Sequence, residues 1–282
     1  MPDNEKRIPT HAAIIVDGNR RWARQRLMPA SVGHKAGFDR LKEITRYAVG
    51  DCGVKVLSLY VFSTENFARD AKEVGYLMDL FANNFRTIAD EMNERGCQVL
   101  FSGRQEGLQP RVLDAMDYMM DLTKDNKKGI VNFCLNYGSH AEITDAVRAI
   151  AGEVKEGKLD PASIDEHTIE SHLYRDLPPV DLMIRTSGEE RLSNFLLWQC
   201  AYAEFYFTPT LFPDFDKACF DEALAEYAAG IAVWAATPKS KTNEQNRLRI
   251  LRRRFLFGGN SAGLGGYGRS GVPRSGDRSG GR

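Results

Sequence analysis

The chain has 282 residues, 43% of them hydrophobic, and its 38 basic and 38 acidic side chains leave no formal net charge. That length and apolar content support a real core in one large domain or two small ones, and the even balance excludes whole-protein attraction to nucleic acid or anionic lipid. The five cysteines (Cys52, Cys97, Cys134, Cys200 and Cys219) are scattered, odd in number and form no C-x-x-C, which argues against a disulfide framework or zinc site and suits a reducing cytoplasm.

The first residues, MPDNEKRIPTH, carry no apolar core of signal-peptide type, and no later segment is long and uncharged enough to span a bilayer. A soluble cytoplasmic protein is expected, with residues 1–10 as an N-terminal extension. Short apolar runs rich in β-branched residues then recur along the chain: HAAIIVD (11–17), VKVLSLYVFS (54–63), CQVLFSG (97–103), IVNFCLNY (130–137), VDLMIRTS (180–187) and AEFYFT (203–208). Their continuous rather than alternating character predicts strands covered on both faces. Between them, 73–95 places Val74, Leu77, Met78, Leu80, Phe81 and Phe85 on one helical face and stops at Gly96. A helix over 140–156 follows Ser139, with Glu142 three residues on in a capping-box pattern, and 216–234 is a third amphipathic helix. Alternating strands and helices predict an α/β fold with a mostly parallel sheet of about six strands flanked by helices, whose carboxyl ends present ligands.

Four segments at predicted strand ends or within strands carry candidate chemistry. Asp17 closes the first strand, and Gly18 lets the backbone turn there and approach a ligand. The amides of the helix that opens next, with Arg20 and Arg21, favour an anion. Asp17 could equally be a salt-bridge partner of a neighbouring arginine. In FSTENFAR (62–69), Ser63, Thr64, Glu65 and Asn66 put four polar side chains at one strand end, more than a single helix cap needs, with Arg69 beyond them. In DLMIRTSGEERLSNF (181–195), Arg185, Arg191 and Ser193 form a second anion clamp, unless Glu189 and Glu190 neutralise it as a surface loop. Glu204 lies inside an otherwise aromatic strand, where a buried carboxylate has to be paired, protonated or metal-bound. His34, between the glycines of GHKAG, counts for little by itself.

The end of the chain is different in kind. Five arginines fall within 247–254, and from Asn260 onward Gly, Ser and Arg dominate, a composition that does not fold alone. GLGGYG (263–268) matches G-x-G-x-x-G by letter but lacks the strand before it and the helix after it that a dinucleotide site needs.

On HAAIIVDGNRRWA, GHKAG, LSLYVFSTENFAR and DLMIRTSGEERLSNFLLWQCAYAEFYF, in that order, the chain resembles the cis-prenyltransferase family, in particular bacterial undecaprenyl diphosphate synthases. The likeness runs from about His11 to Phe215, and RRRFLFGG resembles the family's C-terminal Arg-Phe-Gly-Gly end. It implies a catalytic domain over 11–257, a hydrophobic tunnel, a homodimer and a tail over 258–282. The activity implied is Mg2+-dependent condensation of isopentenyl diphosphate onto an allylic primer, expected to be farnesyl diphosphate. The product would be a long polyprenyl diphosphate, the undecaprenyl carrier-lipid precursor for cell-wall synthesis. Asp17 and Glu204 would hold the metal, and Asn66 would accept the proton with help from Ser63. Gly18, Asn19, Arg20, Arg21, Trp22 and His34 would bind the allylic diphosphate. Thr64, Glu65 and Phe67 lie in the same substrate-binding set. Arg69, Arg185, Arg191, Leu192 and Ser193 would hold isopentenyl diphosphate. Three positions depart from the family pattern: Ala30 replaces an arginine, for which Arg24, Arg26 or Lys35 is the substitute; Phe67 replaces a Trp; and Asp70 replaces a Pro, implying a looser loop.

The rivals read less well. A trans-prenyltransferase needs D-D-x-x-D segments, and no two aspartates are adjacent; a nucleotide enzyme needs a P-loop or Rossmann turn in context. A non-catalytic partner subunit of a prenyltransferase complex is the alternative, but such subunits lack the Asp-Gly-Asn and Glu-Asn residues kept here. No nucleic-acid partner is expected; membrane contact is expected only as a transient, peripheral one at the inner face, for product release.

Overall fold

The computed structural model describes residues 7–236, with the backbone alone for 231–236. The chain divides into two units, Met1–Trp234 and Ala235–Arg282, and the sheet and its cavity belong to the first. The arginine run, RRRFLFGG, GLGGYG and the 258–282 tail lie outside the described residues, as do residues 1–6 of the extension.

In chain order the described residues form β1 (His11–Ile15), α1 (Asn19–Gln25), α2 (Ala30–Arg46), β2 (Val56–Ser63), α3 (Ala71–Glu94), β3 (Cys97–Ser102), α4 (Pro110–Thr123), β4 (Gly129–Tyr137), α5 (Ser139–Lys155), α6 (Glu166–Ser171), β5 (Leu182–Arg185), β6 (Glu204–Phe207) and α7 (Lys217–Ala236). The six strands form one sheet, ordered β3-β4-β2-β1-β5-β6, and every pairing is parallel. Continuous apolar strands were expected to be covered on both faces; β1 is, whereas the edge strand β6 leaves Phe205 exposed. In β1, Ala12 and Ile14 face the larger core with Phe85 and Phe133, while Ala13 and Ile15 face a second core with Tyr137 and Phe195. Each such aromatic contributes roughly 1.5–3 kcal/mol by leaving water.

One polar line crosses this apolar sheet. The His11 Nδ1–H donates to the Pro178 carbonyl at 2.7 Å, so its Nε2 accepts from the Ser58 hydroxyl at 2.8 Å. Asn132 Nδ2–H donates to Ser58 Oγ at 3.1 Å, and its Oδ1 accepts from the Ser102 hydroxyl at 3.0 Å. Burial lowers the His11 pKa, keeping the ring neutral.

Several boundaries differ from expectation for identifiable reasons. The capping box at Ser139 does not form. Gly138 is the cap position, Ser139 Oγ accepts from the Leu197 amide, and the first amides of α5 are satisfied by Asn194 (backbone O to Ser139 N, Oδ1 to His140 N). Glu142 instead accepts from the Tyr137 hydroxyl at 2.5 Å and the Gln199 amide at 3.1 Å. Asp70 does not loosen its loop: it caps α3, accepting from the Lys72 and Glu73 amides. Among the described residues, no helix is long and apolar enough to cross a membrane, and no disulfide joins the cysteines.

Candidate active site

The strand order fixes where a ligand goes. From β1 the chain turns to β2 on one side and later returns to β5 on the other, which opens a crevice at the carboxyl ends of β1 and β5. Asp17 follows β1, and Arg185 ends β5. Gly18 makes the turn between Asp17 and α1 at φ 109°, where a Cβ would lie 3.0–3.1 Å from Leu211 and Ser187. Asn19 then packs directly on α2: its carbonyl oxygen would be 2.1 Å from a Cβ on Gly33, and its Oδ1 equally close to one on Gly37. The glycines of GHKAG thus let α1 lie against α2.

Two carboxylates, with Glu189 3.2 Å from Arg21 as a third, organise the cations that enter this crevice. The first is Asp17. Arg185 Nη2 donates to its Oδ2 at 3.0 Å, and Arg21 Nη2 lies 3.8 Å away. Arg185 is held at its guanidinium: its side chain is 4% exposed, Nη1 donates to Ser193 Oγ at 2.7 Å and to the Arg191 carbonyl, and its Nε is buried with no hydrogen-bond partner among the described residues. Arg21 donates to both the carbonyl and the hydroxyl of Ser187. The loop after β5 takes left-handed backbone at Ser187, Ser193 and Asn194 (φ 78°, 48° and 64°), conformations that cost energy outside glycine and cluster at functional sites.

The second is Glu73, which no sequence motif had marked. His34 Nε2 lies 3.1 Å and Arg69 Nη1 3.4 Å from its Oε1, and Arg20 Nε lies 3.8 Å from its Oε2. The only local signal was the four-residue spacing from Arg69. Burial lowers the His34 pKa, against the opposing pull of Glu73, and burial likewise lowers that of Arg69.

These groups stand at one cavity of about 1090 Å³. Asp17, Gly18, Asn19, Arg20, Arg21, His34, Ser63, Glu65, Asn66, Arg69, Arg185 and Ser193 line it, as do the apolar Phe38, Leu41, Leu77, Leu80 and Phe81. Ser63 and Asn66 cap each other across a short 3-10 turn, with Asn66 Oδ1 accepting from the Ser63 amide at 3.2 Å. For Glu65, burial works to raise the pKa, but hydrogen bonds from its own amide, Ser63, Asn194 and Thr64 outweigh it, and the carboxyl lies below its ordinary value.

Six expected site residues stand outside the lining. Trp22 Nε1 donates to Asp214 at 2.7 Å under the Arg26 guanidinium, which also pairs with Asp214. Phe67 meets Phe62 edge-on at 4.9 Å. Thr64 faces Gly138, Leu192 packs on the second core, and the Arg191 side chain turns out to Glu189. Glu204 pairs with Leu182 at the amino end of β5, three residues and about 10 Å before Arg185, beside Gly230 of α7. Within one chain it does not meet Asp17. Of the three candidates to replace an arginine at 30, Arg26 is engaged with Asp214 and Lys35 with Asp39. Arg24 alone lines the cavity, beside Ala30, and makes no ion pair among the described residues.

Among the described residues no three acids, cysteines or histidines cluster as a protein-only metal cage. One carboxylate beside an anion clamp nevertheless fits Mg2+, which keeps most of its waters and is commonly bound by one or two carboxylates together with substrate phosphates.

A family model described as "Putative undecaprenyl diphosphate synthase" matches residues 15–231. The chain is 48% identical over 225 residues to an isoprenyl transferase of Streptococcus thermophilus, covering 78% of this chain and 90% of the relative, and 46% identical over 229 residues to one of Streptococcus mutans, with the same coverage. Among solved structures it is similar to lavandulyl diphosphate synthase from Lavandula x intermedia in complex with dimethylallyl diphosphate, at a TM-score of 0.75 and 39% identity over 78% of this chain and 95% of that one. It is also similar to a probable undecaprenyl diphosphate synthase from Campylobacter jejuni, at a TM-score of 0.64 and 29% identity with the same coverage.

Proposed function

The chain belongs to the undecaprenyl diphosphate synthase family and is an isoprenyl transferase, and from that premise we propose that it condenses isopentenyl diphosphate onto an allylic diphosphate, farnesyl diphosphate by preference, to build a long polyprenyl diphosphate. The product serves as the undecaprenyl carrier-lipid precursor. The observation that carries this reading is one cavity lined both by Arg20, Arg21, Arg69 and Arg185 and by the apolar Phe38, Leu41, Leu77, Leu80 and Phe81, matching a substrate that is part diphosphate and part hydrocarbon.

Each part of the site has a task. Arg20, Arg21 and His34 hold the allylic diphosphate, and Arg69, Arg185 and Ser193 hold that of isopentenyl diphosphate, with guanidinium forks suited to phosphate oxygens. Mg2+ at Asp17 supplies charge stabilisation for the departing diphosphate. The arginines hold positive charge where negative charge develops as the allylic C–O bond breaks. The isopentenyl double bond attacks the allylic carbon, and Asn66 Oδ1, set at the cavity wall by Ser63, takes the proton whose loss leaves a new cis double bond. Phe38, Leu41, Leu77, Leu80 and Phe81 receive the growing chain, each methylene gaining roughly 0.8 kcal/mol by leaving water. Of the two carboxylates expected to hold the metal, Asp17 alone lines this cavity. The enzyme works as a homodimer, for which the edge strand β6 offers the exposed Tyr202 and Phe205 beside it, and it meets the inner membrane face only transiently.

Incubation with labelled isopentenyl diphosphate and farnesyl diphosphate should give labelled lipid resolved by chain length, and chelation of Mg2+ should abolish it. Wild type that elongates no short allylic primer would instead favour a partner-subunit role.

A further inference from the structure

Glu73 lies in the first turn of α3, where a carboxylate has an ordinary role in favouring the positive end of the helix. Its setting exceeds that role. Asp70 already accepts from the amides that open α3. The Glu73 side chain is 14% exposed and turns to cations from three other elements: Arg20 of α1, His34 of α2 and Arg69 at the end of the 3-10 turn. Those three line the cavity, where an anion is expected, and Glu73, which does not itself line it, is a competitor for them.

We propose that Glu73 is the resident counter-anion of the diphosphate pocket, holding Arg20, Arg69 and His34 together in the empty site and competing with an incoming diphosphate for them. The proposal rests on the reading that this cavity takes diphosphates. Without ligand, Glu73 offsets the mutual repulsion of Arg20 and Arg69, which also disfavour a charged His34. With ligand, it leaves a like charge beside the phosphates and holds affinity down. A transferase that releases pyrophosphate at every addition turns over faster when that grip is moderate. Glu73 touches the cations and not the reacting carbons, so it is a positioning residue.

The test is calorimetric titration of inorganic pyrophosphate, in chelator, into wild type, Glu73→Gln, Glu73→Met and Glu73→Asp, with steady-state kinetics on each. Removing the charge is expected to tighten pyrophosphate binding about tenfold. The KM for the allylic diphosphate should fall in parallel and kcat should fall as release slows, while Glu73→Asp stays near wild type. Equal or weaker binding in whichever of Glu73→Gln and Glu73→Met melts cooperatively overturns the proposal, because a purely structural hub would loosen its cations and weaken the pocket. Should wild type bind no pyrophosphate and Arg69→Ala leave that unchanged, the diphosphate reading itself fails, and this inference with it.

Discussion

Asp17 lines the cavity and Glu73 holds three cations that line it, but the two hubs are built to different tolerances. Asp17 sits on a strand end, its Oδ1 accepts from the Gly18 amide at 2.7 Å, and its main partner Arg185 is nearly sealed from water and fixed by Ser193 and a backbone carbonyl. Glu73 sits on a helix turn, and one of its partners, Arg20, is 61% exposed where Arg185 is 4%. A rigid hub suits the place where bonds change, because misplacement there costs rate. A looser one suits ligands that must come and go. In this pairing, chemistry belongs to Asp17 and exchange to Glu73.

The largest effect should come from Asp17→Ala, which is expected to lower kcat by about a thousandfold with little change in KM, read by labelled isopentenyl diphosphate incorporation. A loss of similar size in Glu73→Ala would erase the distinction between the hubs. Arg185→Met comes next: it should lower activity and also stability, by about 2 kcal/mol, because charge-assisted bonds to a carboxylate, a hydroxyl and a carbonyl disappear. That figure is already discounted for Asp17 being a third exposed. Denaturant midpoints check it, and Arg20→Met, on the looser hub, should leave them nearly unmoved.

Much of this was legible in the sequence, and the failures share one physical pattern. The six strands could be read because continuous apolar runs are a local consequence of being covered on both faces. The polar strand ends could be read because parallel sheets present ligands there. What could not be read is which distant residue completes a contact. The arginine segments around 20 and 185 look like two clamps in sequence, but parallel pairing of Ile15 with Arg185 brings Arg185 and Arg21 to the same Asp17. Ser139 resembles a helix cap, yet Asn194, 55 positions later, supplies the bonds. Trp22 belongs by position to the DGNRRW block and Arg26 follows it, yet both are engaged with Asp214 outside the cavity lining. Helix α4 escaped because its apolar stripe is interrupted by charges that face outward.

A smaller effect concerns the arginine absent at position 30. If Arg24 takes its place, Arg24→Ala should raise the KM for the allylic diphosphate about tenfold, as loss of a phosphate contact does. Ala30→Arg should then rescue the Arg24→Ala variant. Failure of that rescue would remove Arg24 from the diphosphate site.

The smallest effect is on acid stability. Burial lowers the pKa of His11 and His34 in the fold, so below their ordinary value of 6.5 the unfolded chain binds more protons than the folded one. Stability is therefore full above that pH and is lost as pH falls from 6.5 towards the lowered values. Glu73 supports a protonated His34, so Glu73→Gln should steepen the loss as pH falls below 6.5. Thermal melts across that range measure it; an unchanged slope would separate His34 from the Glu73 hub.

The division of labour is tested most directly by single-turnover transfer from labelled isopentenyl diphosphate, with enzyme in excess and Mg2+ present, in wild type, Asp17→Asn and Glu73→Gln. Single turnover removes product release from the observed rate. Asp17→Asn is expected to slow the transfer by orders of magnitude, while Glu73→Gln transfers at close to the wild-type rate despite its lower kcat at steady state. A Glu73→Gln enzyme as slow as Asp17→Asn in the single turnover would contradict that division.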